Sequence, residues 1–363
     1  MKRSAVPVTK PPRRRRTGAG AICQREVVSP NQQELFPAVI DQRAAPGELN
    51  YLAAGPAATA FEALIDDECR WQHTPEGHYI YGDHATTYVV MGDPRVAIST
   101  ERIASAWTKI LALDDNTAQT FLYVMGRDLA STTPGEKTRI HVNEILDFKG
   151  IKRHKNGDFR QGQKRLEVDR LRILNEMWFH INDEVRLRAG RGIRTKKIKL
   201  ISRVIELEFE EERRDQSPDF LASDAKISAP YAFRIGLGGW ALPYRAFPAA
   251  IRPVLQTIVR YDTTSDTQRT AMRIALFLMF SMPERRGQWG LRELLEKARI
   301  QIPRTNTMRF RDMIESALDR LQNDRLIGTW VYANDKPMGY RWFQNWLGWD
   351  VVISPRPLKV VAI

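Results

Sequence analysis

Residues 140–181 read IHVNEILDFKGIKRHKNGDFRQGQKRLEVDRLRILNEMWFHI, and this stretch decides the predicted fold. Apolar residues at helical spacing predict a short helix over 141–149, and Gly150 suits its C-cap. Asn156-Gly157 marks a turn, and a longer helix is predicted from Gln161 to about residue 181. Two helices joined by a turn are typical of a helix-turn-helix unit.

The flanking segments extend this unit. Upstream, two helices are predicted over 99–129. Downstream, residues 185–188 and 198–207 alternate as strands around a basic tip at 190–197. Three helices, a strand, a basic tip and a second strand follow one another in the order of a winged helix.

A similar order follows a strand predicted at 233–240. Helices are predicted over 248–261, 267–282, 289–299 and 307–324, and strands over 326–332, 339–343 and 349–353. Four tryptophans near the end are predicted to anchor a core or an interface. These are Trp330, Trp342, Trp346 and Trp349. The repeated order predicts a pseudo-duplicated architecture, although the two halves are not a close sequence repeat.

The chain is therefore predicted to be α+β and mainly helical, with two tandem winged-helix (helix-turn-helix) domains. Residues 1–45, rich in Pro, Arg and Gln, are predicted to form a disordered basic tail. The first domain is predicted over 46–215, and its part before residue 95 is a small β-rich segment with a hairpin. The second domain is predicted over 216–363.

The positive charge is concentrated in two places. The 363 residues carry a formal net charge of +13. Residues 1–16 hold seven Lys or Arg and no acid, and residues 149–199 hold sixteen Lys or Arg against six acids, a net +10. The remainder is therefore about −4, because 13 minus 17 is −4. A basic segment inside a neutral chain indicates a surface for a polyanion such as nucleic acid.

The sequence also indicates where the protein is located and argues against several classes of enzyme. Two cysteines, Cys23 and Cys69, cannot build a disulfide framework, and the longest apolar run, about 271–282, is short and contains Arg273. We therefore expect a soluble cytoplasmic protein, associated with the bacterial nucleoid or a plasmid, with no membrane partner. The sequence contains no GxxxxGK[ST], GxSxG or HExxH motif, so we expect no enzyme activity and no cofactor.

One cluster keeps a metal site open as an alternative. Cys69, His73, His78, Asp83 and His84 lie within sixteen residues, and such side chains can bind Zn²⁺. Their spacing matches no standard pair-plus-pair pattern. We therefore expect no metal there, and interpret the histidines as turn residues beside a buried cysteine.

The predicted DNA contacts follow from where the basic residues fall on the winged helix. The start of the long helix would enter the major groove, where Arg and Gln can pair with guanine and adenine. The preceding turn and the basic tip would contact phosphates. The predicted set in the first domain is Lys152, Arg153, Lys155, Arg160, Gln161, Gln163, Lys164, Arg165, Arg172, Arg191, Arg194, Lys196, Lys197 and Lys199.

The second domain has a weaker basic helix start. Arg304, Arg309 and Arg311 are the predicted DNA contacts there, although nearby acids such as Asp312 and Glu315 offset them. A dimerisation or purely structural role for this domain is the alternative.

This order of elements and placement of charge resembles plasmid replication initiator proteins of the Rep type. The resemblance covers roughly residues 100–355, with 140–181 as the first helix-turn-helix and 291–321 as the second. It implies binding to repeated origin sequences on double-stranded DNA, recruitment of the host initiator and helicase, and a shift between homodimer and monomer. The tail and the segment before residue 95 do not map onto that family.

Other functions remain open at this stage. A winged-helix transcriptional regulator would use the same helices. A nuclease or recombinase, a zinc enzyme using the 69–84 cluster, and an RNA- or ribosome-associated basic protein are further alternatives.

Overall fold

The computed structural model describes residues 54–82, 86–96, 99–130, 137–189, 192–209, 231–244, 257–280, 287–333 and 342–354. The described residues form a mixed fold of helices and three small sheets. This confirms the prediction that helices and strands occur together. The tail predicted over 1–45 lies outside the described residues.

The N-terminal segment combines the predicted hairpin with a helix that was not predicted. Its elements are α1 (Ala54–Leu64), β1 (Gln72–His73), β2 (Tyr79–Gly82) and β3 (Thr87–Met91). Strands β2 and β3 form the hairpin, with Tyr81 opposite Val89. Helix α1 buries small and apolar side chains, including Ala57, Ala60 and Phe61, against the core. The segment is therefore not purely β-rich.

Four helices follow, close to their predicted positions. They are α2 (Thr100–Leu111), α3 (Asp115–Ala130), α4 (Val142–Phe148) and α5 (Gln161–Glu176), with strand β4 (Thr138–His141) directly before α4. Ser99 caps α2 by accepting a hydrogen bond from the Arg102 backbone N–H. Gly150 has a φ of 72°, as expected for the residue that ends α4.

Helix α5 ends earlier than predicted. Residues 177–181 were predicted as helix, but they begin β5 (Met177–Ala189) and pair with β3, with Met177 opposite Met91 and Ile181 opposite Thr87. Met177, Phe179 and Ile181 are buried in the main core, while Trp178 packs on the other face with Ile80 and Val90. Both faces of this strand therefore carry buried apolar residues, a pattern that a buried helix also shows.

The predicted wing is part of a different sheet. Strand β5 and β6 (Gly192–Arg203) form a long hairpin, and the five-stranded sheet has the order β1-β2-β3-β5-β6. The basic tip therefore belongs to the N-terminal sheet and not to the sheet beside the helix-turn-helix. The sequence-based interpretation of this hairpin as the wing is wrong.

The sheet beside the helix-turn-helix is formed by more distant strands. Its order is β4-β8-β7, with β7 (Ile205–Phe209) and β8 (Ala232–Leu237) antiparallel. The predicted domain boundary at 215/216 falls between these two paired strands. At Gly238 an added Cβ would lie 1.9 Å from the Arg203 carbonyl oxygen, so only glycine fits where β8 leaves the sheet.

The second unit repeats this arrangement. Its elements are α6 (Asp266–Phe280), β9 (Gln288–Gly290), α7 (Leu291–Lys297), α8 (Thr307–Asn323), β10 (Trp330–Tyr332), α9 (Trp342–Leu347) and β11 (Asp350–Ile353). Its sheet order is β10-β11-β9, so the strand before the two helices pairs with the last strand in both units. A strand was predicted over 339–343. The described part of that range, residues 342–343, begins α9 instead, so the prediction is wrong there.

One hydrophobic core extends through both units. Trp346 and Trp349 are buried within it, which confirms the predicted core role for these two tryptophans. Trp240 is also fully buried, and its indole N–H donates to the Val204 carbonyl oxygen over 2.8 Å. None of the helices in the described part of the chain is both long and apolar enough to cross a membrane.

Candidate nucleic-acid interface

A buried ion pair links α4 to α5. Lys149, just after α4, donates from Nζ to both carboxylate oxygens of Glu167 on α5, over 2.8 and 2.9 Å. The same ammonium donates to Thr120 and to the Asn116 carbonyl oxygen on α3. Arg170 approaches Glu167 from the solvent side, at 3.1 Å. Three helices are therefore joined at one polar point inside the core.

Burial and pairing set the protonation of this network. Burial lowers the pKa of Lys149, and the nearby Arg170 guanidinium lowers it further against the attraction of Glu167. Burial would raise the pKa of Glu167, but Lys149 and Arg170 outweigh it and lower that pKa. Because Glu167 faces two cations, it stays ionised and balances the charge of the buried lysine.

The turn over 151–160 is held rigid by its own residues. Gly157 has a φ of 80°, and its N–H donates to the His154 carbonyl oxygen over 2.9 Å. Arg153 binds the carboxylate of Asp147 with two nitrogens and donates to the Gly157 carbonyl oxygen over 2.9 Å. Its guanidinium also lies 4.9 Å from the ring centroid of Phe159. Arg153 therefore stabilises the turn, and its side chain is 45% exposed.

Three predicted base-reading residues make contacts inside the protein. Gln163 accepts a hydrogen bond from the Arg160 backbone N–H over 3.0 Å and so caps α5. Gln161 accepts one from the Tyr231 hydroxyl. Lys164 is buried, donates to Asp158 over 2.6 Å and lies 5.2 Å from the Tyr231 ring centroid. Lys164 therefore faces the protein, and this contact lowers the pKa of Asp158.

Six basic residues remain exposed on the turn and on α5. They are Lys152, Arg153, Lys155, Arg160, Arg165 and Arg172. Arg172 also lies 3.3 Å from Asp169, in an exposed pair one turn apart. The start of α5 adds the positive end of its helix dipole to this surface. Six predicted contacts are therefore exposed on one helix and its preceding turn, and we name these six residues the basic surface.

The predicted contacts on the hairpin lie apart from the basic surface in the chain and in a different sheet. Lys197 and Lys199 are exposed on β6. For Arg194 and Lys196 the structure describes only their place in β6, opposite Leu187 and Val185. Arg191 lies outside the described residues.

The second unit exposes fewer basic residues at the start of its long helix. Arg304 and Arg309 are exposed. Arg311 is half-buried, and its Nε donates to Glu315 over 2.7 Å. Glu315 also accepts a hydrogen bond from the Tyr332 hydroxyl, so Arg311 takes part in a hydrogen-bond network within the protein.

The prediction from the sequence missed two residues that hold α5, the helix of the basic surface, in place. Tyr231 precedes β8 and packs against both Gln161 and Lys164, which are far away in the chain. Glu167 is the buried acid that holds Lys149. Helical spacing back from Leu171 places residues 164, 167 and 168 on the buried side, so this spacing could have identified both Lys164 and Glu167.

The cluster considered for zinc is only partly described. Cys69, His73 and His78 lie in described segments, whereas Asp83 and His84 do not. Among the described residues, no group of three or more His, Cys, Asp or Glu side chains is placed to hold a metal ion. Burial, with a contribution from Asp66, raises the pKa of the Cys69 thiol and so disfavours the thiolate that binds metals.

The chain was compared with protein-family models, curated proteins and solved structures. No protein-family model matches the chain, and no curated protein matches it significantly. A crystal structure of a selenomethionine derivative of domains 2 and 3 of RctB is similar at 15% identity and a TM-score of 0.37, over 74% of this chain and 85% of that one. A crystal structure of RctB residues 155–483 gives 13% identity and a TM-score of 0.39, over 82% and 96%.

Proposed function

We propose that the chain binds duplex DNA sequence-specifically and acts in replication initiation. The observation that carries the proposal is the basic surface, in which six exposed Lys and Arg side chains follow a rigid turn into one helix. Long-chain cations at the start of a helix suit the major groove and its flanking phosphates. Intramolecular ion pairs account for Lys149 and Lys164, but Lys152, Lys155, Arg160 and Arg165 have no such structural task among the described contacts.

The order of elements supports a winged-helix interpretation of both units. In each, a strand leads into two helices, and two later strands complete a three-stranded sheet whose middle strand is the last one. In the first unit β7 and β8 would then take the place of the wing strands, and the β5–β6 hairpin would be an insertion. Two such units in tandem are what the resemblance to Rep-type initiators implies.

The second unit is proposed as a second DNA contact through Arg304 and Arg309. Two units on one chain suit repeated sites, and repeated sites are what distinguishes an origin from a simple operator. Host initiator and helicase are proposed as partners on the same ground, and a homodimer as a second state.

Selection from a random duplex library, followed by footprinting on genomic fragments, tests this function. An initiator is expected to protect several direct repeats beside an AT-rich tract, whereas a single palindrome would favour a transcriptional regulator. A chain that selects no sequence contradicts the proposal. Nicking of supercoiled DNA in Mg²⁺, Mn²⁺ or Zn²⁺ would favour a nuclease or recombinase.

Substitutions separate base contacts from phosphate contacts. Arg165→Ala is expected to weaken binding to the selected site by about 1–3 kcal/mol and to reduce the base preference at one position of that site. Lys155→Ala, in the exposed turn before α5, is expected to weaken all duplexes alike and to lower the salt slope by about 0.9. Arg70→Ala, an exposed arginine paired with Glu68 after α1, is the matched control and should change neither.

A further inference from the structure

The exposed side of α5 carries an apolar residue that the core does not use. Leu166 is 56% exposed, although a leucine on a two-sided helix is ordinarily buried. The buried side of α5 is complete without it and consists of Lys164, Glu167, Val168, Leu171 and Leu174. Leu166 lies instead on the exposed side of the helix, where its neighbours three and four residues away are Gly162, Gln163, Asp169 and Arg170.

The turn before Leu166 leaves its side chain uncovered. Side chains on a helix point back towards its N-terminus, so Leu166 points towards Gly162, four residues earlier. A Cβ at Gly162 would have no neighbour within 4 Å. The helix surface next to Leu166, over Gly162, is therefore open to a ligand.

The second unit repeats the combination. Met308 is 55% exposed in the first turn of α8, and the next residue is the exposed Arg309. In both units an exposed apolar residue and an exposed arginine are thus consecutive in the chain within the first two turns of the long helix, although in opposite order. An isolated exposed leucine would need no explanation, but the same pair on both helices does.

We infer that Leu166 contacts the C5-methyl group of a thymine and so helps determine the DNA sequence that the chain selects. The inference rests on the proposed function. In the major groove the thymine methyl group is the one apolar feature that base pairs present, and an apolar side chain is its natural contact. Arg165 would bind an adjacent base or phosphate, while Leu166 excludes water from the methyl group.

Deoxyuridine provides a direct test, because it differs from thymidine only by that methyl group. The preferred site is first selected from a random duplex library, and each thymine is then replaced singly by deoxyuridine. At one position the replacement is expected to lower the affinity of the wild-type chain about 4-fold, which corresponds to the free energy of burying one methyl group. Leu166→Ala is expected to bind the thymine site as weakly as the wild type binds the uracil site, and to lose nothing further on the replacement.

Leu111→Ala is the matched control, because Leu111 is a 62% exposed leucine at the end of α2. It should show the same 4-fold loss as the wild type on replacement of that thymine. Unchanged thermal unfolding midpoints of both variants establish that neither change acts through the fold.

Two results would overturn the inference. If no single thymine matters to the wild type, or if Leu166→Ala remains as sensitive to the replacement as the wild type, Leu166 reads no methyl group, while DNA binding through Arg165 stands. If the chain selects no duplex sequence at all, the proposed function fails together with this inference.

Discussion

Lys149 and Glu167 form an ion pair whose two side chains are at most 2% exposed, so removing one partner leaves a charge inside the core. We expect Glu167→Leu to lower the free energy of unfolding by about 3–5 kcal/mol, because Lys149 then has no carboxylate. The double variant Lys149→Met/Glu167→Leu should cost less than the sum of the two single changes. Chemical denaturation of the four proteins measures this coupling.

An exposed pair on the same helix supplies the control for that cycle. Arg172 and Asp169 are about half exposed and 3.3 Å apart. Arg172→Ala should change the free energy of unfolding by less than about 1 kcal/mol, as is usual for surface pairs. If Glu167→Leu were as mild as Arg172→Ala, the buried network would not hold the helix-turn-helix together.

At the residue scale, the sequence predicted which segment carries the basic surface, but it did not predict which basic residues of that segment are exposed. Charge alone could not separate Lys164 from Arg165, because the difference lies in which side of α5 each occupies. Tertiary contacts decide that side, and Tyr231, which packs on Lys164, lies 67 residues further along the chain. Leu166 was missed for the opposite reason, since an apolar residue near an apolar stripe is ordinarily assigned to the core.

At the element scale, the start of α4 depends on a histidine. His141 accepts a hydrogen bond at Nδ1 from the Asn143 N–H over 3.1 Å, and Glu144 accepts one from the His141 N–H over 2.9 Å. Burial, and then the nearby Lys164 ammonium, lower the pKa of His141 below its usual value. Protonation would remove the acceptor at Nδ1 and so break the cap.

The sign of the resulting pH dependence follows from that direction. With a lowered pKa in the folded state, His141 binds fewer protons when folded than when unfolded, so stability falls as the pH falls below about 6.5. We expect His141→Asn, which keeps an acceptor at the cap, to reduce the loss in unfolding free energy between pH 7.5 and 5.5. Denaturant titrations at the two pH values measure it.

His180 must be separated from this effect. Burial also lowers the pKa of His180, whose ring interacts with the Tyr88 hydroxyl, so the wild-type loss contains contributions from both residues. His180→Asn is therefore the parallel variant, and the double variant should show the smallest dependence. An unchanged dependence in His141→Asn would contradict the role of the cap.

The sequence predicted the helices well and the partners of the strands poorly. Helices α2 to α4 lie near their predicted bounds, and α5 begins where predicted, because each shows helical spacing and a local start or stop signal. The pairing of β5 with β3, and of β8 with β4 and β7, joins residues far apart in the chain, which no local pattern encodes. The nearest alternating pair was therefore taken for the wing, and the domain boundary was placed before β8.

At the scale of the whole molecule, one arginine joins the two units. Arg273 on α6 donates to Asp115 on α3 over 2.8 and 2.9 Å, and to Asp67, after α1, over 2.6 and 3.1 Å. It also donates to the Arg299 carbonyl oxygen over 2.7 Å. Gln119 adds a hydrogen bond to the Tyr261 carbonyl oxygen, over 2.7 Å. The first unit and the second are thus joined by buried and directional contacts.

The consequence is that the two units should unfold together. Arg273→Met removes all five of these hydrogen bonds and leaves Asp115, which is 6% exposed, without its cation. We expect a loss of about 3–5 kcal/mol in unfolding free energy, and a single calorimetric transition that becomes two, because the coupling between the units is weakened. Arg269→Met, one turn earlier on α6 and in an exposed pair with Asp266, should leave one transition near the wild-type midpoint. If Arg273→Met also unfolds in one transition at that midpoint, the contacts around Arg273 do not couple the units, and the spacing of their two long helices must be fixed by the shared hydrophobic core.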